Sequence, residues 1–138
     1  VAQLKGSKPL VLGNHDSVKD QRYRQLFNEI VTYKEINDVI NGVVHRVVMS
    51  HFPIAFWNLQ HKTTEDCHMY SKWAIHLYGH VHNSREEDIY QEFVRKLNTE
   101  YSISCEAYNV GCMMPYMDYV PRSLDEIRRA LINKNEEG

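Results

Sequence analysis

The chain has 138 residues, a quarter of them charged, and a formal net charge of -2 at pH 7. That size suits one domain, the near-neutral balance gives no field to recruit nucleic acid or an anionic membrane surface, and no apolar run approaches the roughly 18 residues that a spanning helix needs. There is no signal-like N-terminus, and Cys67, Cys105 and Cys112 are odd in number and unpaired in spacing. The reading is a cytoplasmic chain whose thiols stay reduced, in the core or near a site.

Taken in chain order, Pro9 to Leu12 is a short buried strand after a polar start. Ser17 can cap a helix with Tyr23, Leu26, Phe27 and Ile30 on one face, at spacings of three, four and seven. Tyr33 to Ile40 and Val43 to Ser50 are β-rich runs joined by Asn41-Gly42, a dipeptide that favours a two-residue hairpin turn. The second run, VVHRVVMS, is nearly all apolar, as a sheet covered on both faces requires, although His45 is read as a surface residue. Residues 56 to 72 show no period and read as a long ordered loop containing Trp57, His61, Asp66, His68 and Tyr70. Ala74 to Tyr78 is another strand. Ser84 to Glu87 is a capping box opening a helix with Tyr90, Phe93, Val94 and Leu97 inward, Tyr101 to Val110 is a strand, and Ser123 to Glu126 is a second capping box. The sum is an α/β fold with mixed strand pairing, in one domain spanning residues 1–138.

Four of these strands end in polar turns, Gly13-Asn-His-Asp16, Ser50-His-Phe-Pro53, Gly79-His-Val-His82 and Asn109-Val-Gly111. Burying unpaired polar groups costs roughly 1–3 kcal/mol each, so such turns need a ligand or a network. In α/β folds ligands lie beyond the carboxyl ends of strands, which predicts that the turns converge. Neutral imidazoles with an amide oxygen suit a borderline transition metal such as Mn, Fe, Co, Ni or Zn; magnesium prefers oxygen ligands. The eight histidines make such a role plausible by number alone. The rest have plainer readings: His61, His68 and His76 as structural or solvent-facing residues, the first two also beside the site, Trp57, Tyr70 and Trp73 as core, and Arg85 as a solvated helix start.

GNHD, then the lone SHFP histidine, then GHVH, in this order on strand ends, resemble the second half of the calcineurin-like metallophosphoesterase signature. The tail DYVPRSLDEI is similar to the C-terminal segment of small bacterial and phage members. The resemblance runs from about Lys8 to Ile132 and implies a phosphoesterase sandwich of mixed sheets flanked by helices. It implies that Asn14, His51 and His80 bind one divalent metal and His82 a second, manganese being one candidate. It further implies that His15 acts over the scissile phosphate, that Asp16 orients His15, and that a hydroxide bridging the two ions attacks a phosphomonoester or phosphodiester.

The family pattern also has an early Asp-x-His and a Gly-Asp-x-x-Asp, and neither precedes Gly13. Twelve residues are too few for two strands with their connections. Asp66-Cys67-His68 matches the first as a string but follows the core motifs. The chain is therefore read as an N-terminally truncated piece that lacks the first two strands and carries the C-terminal half of the site, with one ion or none bound and poor turnover on its own. Two alternatives stand beside it: a half-site completed by another chain, including a homo-oligomer formed through exposed sheet edges, and a non-catalytic scaffold of the same fold.

Overall fold

The computed structural model describes residues 3–60 and 74–136. Strand β1 (Pro9–Val11) pairs in parallel with β2 (Glu29–Val31), Leu10 opposite Ile30, and between them lies the short helix α1 (Gln21–Leu26). The longer helix capped by Ser17 and reaching Ile30 does not form. Asp20 is the cap, its carboxylate accepting the Arg22 N–H at 2.9 Å. The Asn28 N–H bonds to Lys8 O and the Leu12 N–H to Val31 O, so pairing with β1 draws residues 28–31 into extended backbone. A short helix with no buried residue has too little packing to resist that pull.

The second sheet has the order β3-β4-β5-β6. Strands β3 (Tyr33–Ile40) and β4 (Val43–Ser50) form the expected hairpin, with both turn residues in the left-handed region, Asn41 at φ 51° and Gly42 at 78°. Strands β5 (Ile75–Tyr78) and β6 (Glu106–Asn109) continue the sheet in parallel with β4. Strand β6 is shorter than expected because the carbonyls and side chains at the end of the preceding helix, α2 (Arg85–Thr99), capture residues 101–105. The Ile103 N–H bonds to Leu97 O, and the Cys105 N–H to Asn98 Oδ1 at 2.8 Å.

Alternation along the strands gives the sheet two faces. On one, Val48, Tyr78 and Ala107 pack with Val94 and Leu97 of α2 and with Trp57 and Cys105. On the other, Val47 and Ile75 pack with Ile40 and with Leu124 of the last helix, α3 (Leu124–Glu136). His45 shares this second face and is buried, 6% exposed, against the surface placement expected from alternation. Helix α3 covers the end of that face, with Arg128 ion-paired to Glu106 of β6 at 3.0 Å.

The two capping boxes behave differently. Ser123 and Glu126 exchange hydrogen bonds as expected. At α2, Ser84 Oγ accepts the Glu86 N–H and donates to the Glu86 carboxylate, while Glu87 turns inward and is buried. Of the loop expected over 56–72, residues 61–73 lie outside the described residues, and with them His61, Asp66, Cys67, His68, Tyr70 and Trp73. Among the described residues no helix is long and apolar enough to cross a membrane.

Candidate functional site

Because β4, β5 and β6 run parallel, the segments that follow them emerge at one sheet edge. The ladder continues past the strand ends: the Gly79 N–H bonds to His51 O at 2.9 Å and the Val110 N–H to Tyr78 O at 2.7 Å. After Gly79 the chain turns sharply, with the Val81 N–H bonded to Gly79 O at 2.7 Å. His80 and His82 both occupy the left-handed region, φ 62° and 53°. Two non-glycine residues in that conformation within one turn cost free energy that the surroundings must offset, and such outliers concentrate at functional sites.

Asn14, His15, His51, His80 and His82 line one cavity of about 440 Å3. Val11, Met49, Leu77 and Val110 form its apolar floor, and the exposed thiol residue Cys112 lies on its rim. Three of the five residues touch. His51 Nε2 lies 2.7 Å from Asn14 Oδ1 and 3.2 Å from His80 Nδ1. His15 and His82 reach the same space without a hydrogen bond to that trio. Burial, and then the neighbouring His80, hold the His51 imidazole below its ordinary pKa against the opposing pull of Asp16, so the neutral form that can donate a lone pair is favoured.

Asp16 has a different place from the expected one. The Asp16 N–H bonds to Gly13 O, closing a turn with Asn14 and His15 at its tip. One carboxylate oxygen accepts the Gly13 N–H at 2.7 Å and the other accepts the Tyr23 hydroxyl at 3.1 Å. Among the described residues no hydrogen bond joins Asp16 to His15. A carboxylate three residues after a backbone N–H is well placed for this local bond, which competes with reaching the imidazole. Asp16 thus holds the turn that presents Asn14 and His15.

Support from beneath comes largely from residues the sequence left open. His76 is fully buried; its Nδ1–H donates to Val48 O at 3.1 Å and its Nε2 accepts the Ile54 N–H at 3.2 Å, which anchors the segment carrying His51. Tyr90 donates to Ile54 O at 2.7 Å. Buried Asn109 donates to His82 O at 2.9 Å and to Glu87 at 3.0 Å, and Glu87 also accepts the Tyr78 hydroxyl at 2.8 Å. The inward Glu87 leaves no periodic signal, because its spacing also matches a capping box.

Two of the three donor separations bear on whether these groups fit a metal ion. Adjacent ligands about 2.1 Å from one ion at right angles lie about 3.0 Å apart, and the two observed separations bracket that distance. Among the described residues no group of three His, Cys, Asp or Glu side chains is placed to hold a metal; here the third donor is the Asn14 amide oxygen. Two imidazoles and one amide supply no formal charge, a set that fits a borderline transition ion better than magnesium.

No family model matches the chain, and no curated protein matches it. A solved structure from Aquifex aeolicus, described as the protein of unknown function AQ665, is similar to it at 28% identity with a TM-score of 0.55. The similarity covers 94% of this chain and 63% of that one, so the chain spans less than two thirds of the length of the protein it resembles.

Proposed function

We propose that this chain carries part of a metal-dependent phosphoesterase site of the calcineurin-like type. The observation that supports the reading is that Asn14 Oδ1 and His80 Nδ1, from two separate turns, both lie within 3.2 Å of His51 Nε2 on a third. These three residues would hold one divalent transition ion, and His82 stands on the same cavity as a donor toward a second. A bound ion would supply Lewis-acid activation of water and of a phosphoryl oxygen. His15, at the tip of the Asp16-braced turn, would pass a proton to the leaving ester oxygen. The two-ion centre and the phosphomonoester or phosphodiester substrate belong to this proposal.

A second reading, that carboxylate ligands come from a strand supplied by another chain, is favoured by the sheet edges. Strand β1 has β2 on one side and no described strand on the other, beside the apolar floor of the cavity.

Equilibrium dialysis against manganese, read by elemental mass spectrometry, tests the ligand roles. His80→Ala is expected to lower the metal content, whereas His15→Gln is expected to leave it unchanged while lowering turnover of the complete enzyme by about 10²-fold or more. Loss of metal from His15→Gln would contradict the assignment. Gly13→Ala provides a steric test: a Cβ there would meet His51 Cε1 at 2.9 Å and Nδ1 at 3.0 Å. Displacing the ring should weaken manganese binding by about tenfold in the same measurement.

A further inference from the structure

Asn14 and His51, with Ser50, line both the first cavity and a second one of about 500 Å3. Its other side chains are those of Leu12, Thr32, Tyr33, Phe52 and Ile54, and none of them carries a formal charge. Two of its walls are exposed aromatic rings, Phe52 at 50% and Tyr33 at 41%. Exposed rings scattered over a surface call for no explanation, but two on one cavity beside a cluster of ligating groups do.

Both rings are held in place. Phe52 packs against His80 with ring centroids 4.3 Å apart and stands edge-on to His51 at 5.0 Å, so its position is fixed relative to the donors. The Ser50 hydroxyl donates to Phe52 O at 2.6 Å. The Tyr33 hydroxyl donates to Glu35 at 2.6 Å, and Glu35 accepts the Asn58 amide at 3.1 Å and faces Arg46 at 3.6 Å. Ordered rings gain affinity for a planar group because little side-chain freedom is lost on binding.

We infer that this second cavity is the subsite for an uncharged aromatic group of the substrate, so that the esters turned over are aryl or heteroaryl phosphates, with the aromatic ring against Phe52 and Tyr33 and the phosphate on the Asn14–His51–His80 side. The inference rests on the phosphate-ester reading of the site. It also fits a lining with no Lys, Arg, Asp or Glu: a charged group such as the ammonium of an amino-acid ester would find no counter-ion there.

Titration calorimetry of the manganese-loaded chain with phenylphosphonate, methylphosphonate and phenol tests it. Phenylphosphonate is expected to bind about tenfold more tightly than methylphosphonate, and Phe52→Ala to bring the two within about twofold while Phe52→Tyr keeps the preference. Equal binding of the two phosphonates by the wild-type chain would overturn the aromatic subsite and leave the phosphate-ester reading standing. Phenol binding as tightly as phenylphosphonate, and lost in Phe52→Ala, would keep the subsite and overturn the phosphate-ester reading. Binding of neither phosphonate would overturn both.

Discussion

Asn109→Ala is expected to destabilise the fold by about 3 kcal/mol, measured by urea denaturation at neutral pH. Asn109 is fully buried at the end of β6. Its amide donates to His82 O and to Glu87, and its oxygen accepts the Gly111 N–H at 2.9 Å. Alanine would leave part of the buried Glu87 carboxylate without a partner, together with the half-buried His82 carbonyl and Gly111 N–H, the buried group costing about 1–3 kcal/mol and the other two less because water can reach them. The site should suffer as well as the fold, because the Asn109 bond is what ties the strained His80–His82 turn to the sheet. A loss below about 1 kcal/mol would show that the network is not what holds that turn.

His76→Gln is expected to cost about 2 kcal/mol at pH 7.5 and to flatten the fall of stability on acidification. The ring sits between Trp57 and Tyr78 at centroid distances of 5.1 and 5.4 Å, and its Nε2 must stay unprotonated to accept the Ile54 N–H. Burial lowers its pKa below the ordinary value of 6.5, against the opposing backbone bond to Val48. The unfolded chain therefore takes up this proton first as the pH drops. The His76 contribution is complete above about pH 6.5 and declines below it, so the wild-type chain should be measurably less stable at pH 5.5 than at 7.5. Burial lowers the pKa of His45 also, so some slope should remain in the variant. Denaturation midpoints at the two pH values decide it: an unchanged slope in His76→Gln would place the proton uptake elsewhere.

Local chemistry made much of the sheet readable. Asn41-Gly42 announced the hairpin because two adjacent residues must accept φ above zero, and the apolar run over Val43 to Ser50 announced a strand covered on both faces. The sequence signal failed where a distant partner outbid it. Ile30 has helical spacing from Tyr23, yet the parallel pairing of β2 with β1 decides its conformation, and the residues 101–105 are β-like in type but are held by the end of α2. Alternation put His45 outside because it cannot see α3 folding over that end of the face.

At the site, residue type and order were enough to gather Asn14, His15, His51, His80 and His82 on one cavity; the parallel strands β4 and β5 must deliver the turns carrying His51, His80 and His82 to one end of their sheet, whereas the turn carrying Asn14 and His15 follows β1 of the separate two-stranded sheet. Which atoms touch was beyond that reasoning, and so was Asp16, whose carboxylate is taken up by the Gly13 N–H of its own turn and the Tyr23 hydroxyl of α1. The buried supports escaped for the same reason. A histidine in an apolar strand and a glutamate in the first turn of a helix look ordinary until the carbonyl or hydroxyl each one meets, many residues away, is in view.

The claim on which the rest depends is that Asn14, His51 and His80 together hold a metal ion. Native mass spectrometry of the chain after manganese loading, beside His51→Ala treated identically, tests it most directly because it reports ion count and oligomeric state in one spectrum. The expected result is at least one manganese per wild-type chain and none at that position in His51→Ala; a second ion per chain, or a dimer, would favour ligands supplied by another copy. A wild-type chain that takes up no manganese, or a His51→Ala chain that binds as much as wild type, would contradict it.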